Sequence, residues 1–554
     1  PAQPPHAGAT PAQSGAAMLA DERARYGLAP VKFKFTKEDK AKWTKQEKAM
    51  YRQAYDLGGE KRAFAVMKNY FAQKEKGTGA EREAAVLTSA TGVRGPKKEQ
   101  APALPVDTGP VEIPLPKVED LPAGTLLCAG TTDWDDIGKK TLGAGEMNCL
   151  WSYHRTLPSI KFRLIATSGC SNHSVAVCEQ GNTWTWGRND AGQLGLGHAK
   201  SVQGPTLVTS LEGKQVRSAA TGRRHTLVVT GSGEALSCGS NKCGQLGQGG
   251  RDSGALFAEF KPVLKFGGAK PVLQVACGAE HSVALNNCGV VAAWGHPLYG
   301  QLGDGDNGEY IVHTGKVEYN FVTAPKVVQF PGDARVKGIA CGNNHTVAVM
   351  RSGMVYTWGF GGYGRLGHAE QKDEMRPRAL KNIGNRPGTG MKKATCGASC
   401  TYLLSENGGV LFFGRTKSTG EATMYPKPIN DLQGWLVKDV ACGNTSTIVL
   451  ADESVVTWGG SPVYGELGYG DPAIPGTPKS STVAKLVDSL NKGHVFTVAM
   501  GYAHGLALAN AKGGEEATKV IDALEEWTPE AEDPTGKREA EDAADGATSK
   551  KRKK

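Results

Sequence analysis

Cysteine and histidine stand close together in the stretch "CGNNHTVAVMRSGMVYTWG", which covers residues 341–359. Cys341 and His345 are four positions apart, and Trp358 follows an apolar run. Thiolate and imidazole groups bind zinc, and a cysteine paired with a histidine can also act as a covalent nucleophile. The stretch therefore raises two chemical hypotheses, a metal centre and a nucleophile, and the elements around it must decide between them.

Related copies of this stretch recur at intervals of about 55 residues. They begin at Ser168, Thr221, Cys277, Cys341, Cys396, Cys442 and Met500. The histidine is replaced by Cys400 and Ser446 in two copies, and the cysteine by Thr221 and Met500 in two others. A metal centre does not tolerate such loss of its ligands. We therefore expect the motif histidine to be a buried side chain that hydrogen-bonds the backbone of a neighbouring unit, and the cysteines to be small core residues.

A second element follows the histidine in each unit. Thirteen residues separate His173 from Trp186 and His345 from Trp358, and a glycine comes next. A turn such as "GQLG" at 192–195 then ends the unit. Two apolar strands, a tight turn between them and a Gly-rich exit indicate a repeated β unit.

The last copy, which begins at Met500, is not followed by a Trp-containing element. A comparable stretch, "LLCAGTTDWDDIG" at 126–138, instead precedes the first copy. An N-terminal strand that completes an open C-terminal unit closes a ring, and closure protects strand edges from aggregation. We therefore predict an all-β fold, a seven-bladed β-propeller of four-stranded blades over residues 126–510.

Composition limits the classes of function. The chain has 554 residues, of which 74 are glycine, nearly twice the usual share of about 7%. Its twelve cysteines form no Cys-x-x-Cys pair, which favours free thiols in a reducing compartment. No run approaches the roughly 18 apolar residues of a membrane span. No Gly-x-Ser-x-Gly elbow, P-loop or His-Glu-x-x-His motif occurs, so we expect no covalent catalysis, no cofactor and no metal.

Four segments flank the predicted ring. Residues 1–34 have the composition of a disordered region, and residues 35–77 form a basic extension that we expect to be helical. Residues 78–125 are a Pro-rich linker. Residues 511–554 are an acidic and then basic tail that we expect to be disordered, apart from a short helix at 515–527.

Two basic clusters near the C-terminus are separated by eleven residues and match a bipartite nuclear localisation signal. Their members are Lys537, Arg538, Lys550, Lys551, Arg552, Lys553 and Lys554. An extended tail lets both clusters reach acidic pockets of an import receptor, which favours a nuclear location, shared with the cytoplasm or mitotic structures. The alternative is a basic end that adds solubility or contacts nucleic acid.

Longer runs carry a family resemblance. "WGFGGYGRLGHAEQKDEM" at 358–375 and "ADESVVTWGGSPVYGELGYGD" at 451–471 resemble the regulator of chromosome condensation family, in the branch of its second member. The likeness covers the whole ring and not the first ~120 residues. It implies repeats of that family's type and two alternative functions, which belong to different classes.

The first function implied is guanine-nucleotide exchange on a small GTPase, which needs no nucleophile. The founding member of the family uses charged residues immediately before the motif histidine. The matching positions here are Asn172, Arg224, Glu280, Asn344, Ser399, Thr445 and Ala503. Only Glu280 is acidic among them, which points to a GTPase other than the founding member's partner, Ran.

The second function is a non-catalytic scaffold in a large assembly on chromosomes or microtubules, with chromatin or nucleic acid as possible contacts of its basic loops. A net charge of +10 is consistent with acidic partners. The basic loop residues are Arg188, Arg223, Arg224, Arg365, Lys372, Arg376 and Arg378. The candidate partner-binding residues are most of these basic residues together with Glu280 and Asn344. They are Arg188, Arg223, Arg224, Glu280, Asn344, Arg365, Lys372 and Arg378.

Overall fold

A computed structural model describes residues 112–135, 137–138, 148–251, 256–312, 316–332, 334–384, 388–416 and 421–529. Within these residues the chain forms six four-stranded sheets and one five-stranded sheet, which are the blades of a β-propeller, and a separate two-stranded hairpin. The predicted all-β, seven-bladed fold is therefore confirmed. The predicted helical extension at 35–77 and the two basic clusters of the tail lie outside the described residues.

The chain enters the ring through β1 (Thr125–Thr131) and β2 (Cys149–Thr156). Blade 1 follows, with β3 (Phe162–Ala166), β4 (His173–Cys178), β5 (Thr183–Gly187) and β6 (Val202–Leu207). Blade 2 consists of β7 (Ser218–Thr221), β8 (His225–Val229), β9 (Ala235–Gly239) and β10 (Lys261–Pro262). Blade 3 consists of β11 (Val272–Cys277), β12 (His281–Asn286), β13 (Val291–Gly295) and β16 (Val322–Val327), and carries a hairpin of β14 (Glu309–Ile311) and β15 (Val317–Tyr319).

The remaining blades repeat this order. Blade 4 consists of β17 (Val336–Cys341), β18 (His345–Met350), β19 (Val355–Gly359) and β20 (Glu374–Ala379). Blade 5 consists of β21 (Met391–Cys396), β22 (Cys400–Ser405), β23 (Val410–Gly414) and β24 (Thr423–Pro428). Blade 6 consists of β25 (Val437–Cys442), β26 (Ser446–Ala451), β27 (Ser454–Gly459) and β28 (Ser481–Leu486). Blade 7 begins with β29 (Val495–Met500) and β30 (His504–Ala509).

Blade 7 is completed by the N-terminal strands, and this closes the ring. Strand β1 pairs with β30 from Thr125 opposite Ala509 to Gly130 opposite His504. It also pairs with β2, so the sheet order is β29-β30-β1-β2. The sequence predicted one closing strand, and the structure contains two.

The chain after the ring packs on this closing blade. Helix α1 (Gly514–Asp522) buries Ala517 and Ile521, and β31 (Glu526–Trp527) pairs in parallel with β2. The prediction of a single helix over 515–527 was therefore wrong at its end. The guanidinium Nε of Arg155 on β2 donates to the carbonyl oxygen of Leu524 at 3.0 Å, which draws the following residues to the sheet edge.

Short 3-10 helices link several elements. They span Val118–Asp120, Thr209–Leu211, Gly267–Ala269, Gly362–Gly364, Asn430–Leu432, Asp488–Leu490 and Ala511–Gly513. Three of them follow an outer strand and bury a leucine, namely Leu211, Leu432 and Leu490. Within the described residues, no helix has the length and hydropathy needed to span a membrane.

The end of the predicted linker is fixed to the ring. Arg163 of β3 donates to the carbonyl oxygens of Glu119 and Leu121. Glu112 accepts from the Lys270 ammonium at 2.8 Å, and the Ile113 amide donates to the carbonyl of Asn287. Residues 112–124 thus connect blade 3 to blade 1 before β1 begins.

The core lies between blades. Second strands such as β18 are buried along their whole length because neighbouring blades cover both faces. Trp186, Trp294 and Trp358 are at most 1% exposed, as expected for core side chains. All twelve cysteines are described; each is a free thiol, and nine are buried.

Candidate partner-binding site at the centre of the ring

The motif histidines join each blade to the next. His345 is fully buried, and its Nε2 lies 3.0 Å from the hydroxyl of Thr401 in blade 5. Equivalent pairs, at 2.6–3.1 Å, are His173 with Thr226, His225 with Ser282, His281 with Thr346, and His504 with Ser174. The last pair spans the closure between blades 7 and 1.

Four of these hydroxyls, those of Thr226, Ser282, Thr346 and Thr401, also bind the turn that ends the preceding blade. The Thr346 hydroxyl donates to the carbonyl of Gln301 at 2.9 Å, and the Thr401 hydroxyl to the carbonyl of Arg365 at 2.9 Å. A hydroxyl that donates its proton must accept at its oxygen, so the histidine Nε2 carries the ring proton. The prediction that the histidine binds backbone directly was wrong. It binds a side-chain hydroxyl, which in turn binds the backbone carbonyl.

The imidazoles remain neutral. Burial lowers the pKa of His173, His225, His281 and His504 to about 3. Burial also holds the pKa of His345 well below its usual range. These side chains therefore act as fixed hydrogen-bond donors between blades, and the hypothesis of a nucleophile or metal centre at Cys341 and His345 has no support here.

Two blade junctions use other contacts, which explains why the motif histidine changes there. Cys400 lies with its Sγ 3.6 Å from the Sγ of Cys442. Ser446 donates to Oε1 of the buried Glu466 at 3.0 Å, and burial raises the pKa of that carboxyl group. The following blade has Gly505 at the hydroxyl position, so a histidine in place of Ser446 would have no hydroxyl partner.

The turns before the motif strands surround a cavity of ≈ 490 Å³ at the centre of the ring. Its lining comes from six blades and the segment after β1. The lining residues are Ile137, Gly138, Gly169, Cys170, Asn172, Arg188, Arg223, Arg224, Ala279, Asn343, Asn444 and Tyr502. Among these lining residues none is acidic and three are arginines.

Backbone hydrogen bonds between blades hold these turns in place. The Arg223 amide donates to the carbonyl of Ala279 at 3.3 Å, and the Ala279 amide to the carbonyl of Asn343 at 3.0 Å. The Tyr502 amide donates to the carbonyl of Ser171 at 2.9 Å. Side chains at the cavity are therefore held by a rigid frame.

Charge at the cavity is unbalanced. Asp190 accepts from Arg224 at 2.8 Å and from Arg188 at 3.3 Å, so two guanidinium groups share one carboxylate. Arg223 is exposed and has no ion-pair partner within the described part of the chain. The site keeps an excess of two positive charges, which attracts an anionic group.

Polar atoms at the cavity also lack partners. Among the described residues, Arg188 Nε, Asn172 Oδ1 and Asn343 Oδ1 are buried without a hydrogen bond. Buried polar groups in native proteins are mostly paired, with protein, water or a ligand. The residues that line the cavity thus carry one guanidinium donor and two amide acceptors that are buried without a partner.

Comparison with known proteins now defines the family. Residues 125–507 match the family described as RCC1-like domain. The chain belongs to this family. Protein RCC2 of Homo sapiens is 40% identical over 426 residues, which cover 73% of this chain and 80% of that protein.

Two solved structures share the RCC1-like fold. Yeast RCC1 (Prp20) bound to Kap60 has a TM-score of 0.58 at 20% identity, covering 77% of this chain and 99% of that one. Prp20p from Saccharomyces cerevisiae, described with its binding to Gsp1p and histones, has a TM-score of 0.54 at 20% identity, covering 73% and 96%.

The RCC1-like ring brings together only some of the predicted residues. Arg188, Arg223 and Arg224 line the cavity. Glu280 follows the lining residue Ala279 but faces Cys243, whose Sγ lies 3.8 Å from its Oε2. Asn344 follows the lining residue Asn343 and accepts through its carbonyl from the amide of Phe360.

Three predicted basic residues do not belong to the cavity. Arg365 is only 3% exposed, and its guanidinium donates to the carbonyls of Gly362 and Ala398 at 2.9 and 3.0 Å. Arg365 in the turn "GRLG" corresponds to the buried Gln301 in the turn "GQLG" of the preceding blade. It is therefore not an exposed loop cation. Arg378 binds Glu370 and Glu374, which neutralise it, and Lys372 is exposed away from the lining.

Several lining residues escaped the sequence analysis. Asn343, Asn444 and Tyr502 directly follow the motif glycine, one position before the set taken from the founding member's pattern. The repeat itself could have identified them, because the residue that directly follows the motif glycine lines the central cavity in several copies.

Proposed function

We propose that this chain is a binding scaffold whose central cavity receives an acidic group of a protein partner. The observation that carries the proposal is the convergence of Arg188, Arg223 and Arg224 on one cavity with Asp190 as the neighbouring carboxylate. A positively charged, partly desolvated cavity favours a carboxylate or phosphate and speeds encounter with a negatively charged surface.

The assembly that we infer is one on chromosomes or microtubules. Support comes from membership of the RCC1-like family and from the yeast relative described with histones. Because histones are basic, the cavity would not bind their positively charged segments. An acidic segment of a chromosomal or microtubule-associated protein matches the charge of the site.

A second candidate function is guanine-nucleotide exchange on a small GTPase other than Ran. The relative described with Gsp1p supports it, and Glu280 stands on the turn before a motif histidine. Such a factor binds the nucleotide-free GTPase most tightly, since only differential affinity drives release of the nucleotide. Exchange therefore requires no nucleophile and no metal held by the ring.

Partner affinity, measured with GDP, with GTP and without nucleotide at two salt concentrations, separates the two functions. For the scaffold we expect affinity that ignores nucleotide and falls steeply with salt. For exchange we expect much tighter binding of the nucleotide-free GTPase. A salt-independent interaction with any partner would contradict the role of the arginine cavity.

Paired charge reversals test the site itself. Arg223→Glu with Arg224→Glu should weaken binding of the acidic partner by about tenfold or more at low salt, because the excess positive charge is lost. Lys372→Glu with Lys381→Glu is the control with the same change of charge, since both lysines are exposed and outside the lining. Equal losses in the two proteins would mean that total charge, and not the cavity, determines binding.

Nuclear import through the tail remains a proposal about residues beyond those described. Support comes from the yeast relative bound to Kap60. Alanine at Lys550, Lys551, Arg552, Lys553 and Lys554 should shift a fluorescent fusion from nucleus to cytoplasm, and alanine at Lys537 and Arg538 should act more weakly. Unchanged nuclear accumulation with both clusters replaced would exclude the tail as the signal.

A further inference from the structure

Three metal-ligating side chains meet between blades 2 and 3, beside the cavity and outside its lining. The Sγ of Cys243, a carboxylate oxygen of Glu280 and a ring nitrogen of His296 all lie within 4.8 Å of one another. Cys243 Sγ lies 3.8 Å from Glu280 Oε2. Tetrahedral zinc, with ligand bonds of about 2.0–2.3 Å, places its ligand atoms roughly 3.3–3.8 Å apart, so the three side chains must close by up to about 1 Å to hold the ion.

Each of the three residues is held by its own turn. The Cys243 amide donates to Oε1 of Gln245 at 2.8 Å, within the turn after β9. Glu280 precedes β12, and His296 directly follows β13. The imidazole packs edge-on against Phe321 with ring centroids 5.0 Å apart, so its orientation is restricted.

We propose that Cys243, Glu280 and His296 bind a zinc ion, with solvent or a partner side chain as the fourth ligand. A thiolate and an imidazole select zinc over magnesium and calcium, which prefer oxygen ligands. This site departs from the sequence expectation of no metal, because its ligands come from three separate turns and form no recognisable motif.

Zinc displaces the proton of the thiol. Burial and the Glu280 carboxylate raise the pKa of the Cys243 thiol to about 12, whereas Arg251 and Lys242 nearby lower it. Without metal, the thiol is therefore protonated and donates to Glu280. Zinc binding therefore has to release this proton.

The imidazole also has to rearrange its proton. The Leu298 amide donates to Nδ1 of His296 at 3.2 Å, which leaves Nε2 as the metal ligand. Zinc on Nε2 would place the ring proton on Nδ1, so the hydrogen bond from the Leu298 amide would be lost. This long hydrogen bond is weak compared with a zinc–imidazole bond.

Cobalt(II) titration of tag-free protein tests the site, because tetrahedral thiolate–cobalt complexes absorb where the protein does not. We expect one equivalent to bind with a thiolate charge-transfer band that zinc abolishes. Cys243→Ser should remove the band. His296→Gln and Glu280→Gln should weaken binding by more than about tenfold, since even outer-shell changes reach that size.

Cys288→Ser is the matched control. Cys288 also lies near a carboxylate, with its Sγ 3.9 Å from Glu112 Oε1, but the structure describes no histidine in that pair. The control should keep the band. Absence of a band in the parent protein, or a band that persists in Cys243→Ser, would overturn the proposal. If Cys243→Ser unfolds, the folded Glu280→Gln variant decides, because unaltered cobalt affinity in it would also overturn the proposal.

Discussion

At the scale of single residues, five buried histidines join neighbouring blades through the same hydrogen-bond chain. Each pairs its Nε2 with a serine or threonine hydroxyl of the next blade, and in four of the five pairs the histidine is the donor because the hydroxyl donates to a backbone carbonyl. Their Nδ1 atoms differ: His173 is paired with Ser171 at 2.9 Å, whereas among the described atoms those of His225, His281, His345 and His504 have no partner. A neutral imidazole that is protonated at Nε2 has no hydrogen on Nδ1. The motif glycine beside the ring, such as Gly342, therefore packs against an unprotonated nitrogen.

These histidines make the ring acid-sensitive. The pKa of four of them falls to about 3 in the folded ring, whereas the unfolded chain binds protons near pH 6.5. The unfolded state therefore gains protons first, and the free energy of unfolding falls as pH drops from about 6.5 towards 3. Each of these histidines lowers the free energy of unfolding by about 1.4 kcal/mol for every pH unit in that window. Urea denaturation at pH 7.5, 6.5 and 5.5 measures the slope.

A single substitution isolates one histidine. His345→Ala should lower the free energy of unfolding by about 1–3 kcal/mol at pH 7.5, because Thr401 loses its buried donor. It should also reduce the pH slope, since one titrating group is gone. The exposed His198→Ala is the control and should change the free energy of unfolding at pH 7.5 by less than about 1 kcal/mol. An unchanged slope in His345→Ala would contradict the account of acid sensitivity.

The motif histidine can be recognised as structural from the sequence because its copies vary, whereas exposed and buried arginines look alike in the sequence. Arg365 and Arg223 both stand in loops beside glycine. Only the structure shows that Arg365 replaces a buried glutamine while Arg223 faces the cavity. The missing information is the direction of each turn, which depends on packing between blades and not on local residue type.

At the scale of elements, the turn before each second strand depends on its glycine. A Cβ on Gly342 would collide with the ring of His345 and lie 2.6 Å from the carbonyl oxygen of Gly397 in the next blade. Gly338, on β17 of the same blade, has open space, with Gln274 Oε1 at 3.9 Å as its nearest neighbour. The two positions form a matched pair in one blade.

We expect Gly342→Ala to destabilise the ring by about 1–3 kcal/mol or more, because neither backbone nor buried imidazole can move away. Gly338→Ala should change the free energy of unfolding by less than about 1 kcal/mol. Thermal melts of both variants beside the parent measure the difference. Equal melting temperatures would show that the turn tolerates a side chain and that adjacent blades are less tightly packed than the distances indicate.

Element order was predictable because the copies repeat, whereas the departures from the repeat were not. The two-residue strand Lys261–Pro262 and the hairpin at 309–319 interrupt the regular pattern of outer strands. Outer strands are half-exposed and carry few apolar residues, so alternation gives little signal there. The helix that was expected at 515–527 ends early for a related reason, since a tertiary contact with Arg155 redirects the chain.

At the scale of the whole molecule, the ring closes through chain segments that are far apart in sequence. Strand β1 lies between β30 and β2, and its Leu126 and Leu127 are fully buried. Closure therefore depends on residues near 125. Without β1, the edge of β30 in blade 7 would be unpaired.

Two truncations test closure. Removing residues 1–131 deletes β1, exposes the edge from His504 to Ala509 and should cause aggregation or loss of cooperative unfolding. Removing residues 1–111 keeps β1 and the contacts of Glu112 and Ile113, and should melt like the full chain. The variant Leu126→Asp in the full chain should resemble the longer truncation, because an unpaired charge would be buried in the closing blade. Indistinguishable melting of all three proteins would contradict the idea that β1 holds the ring closed.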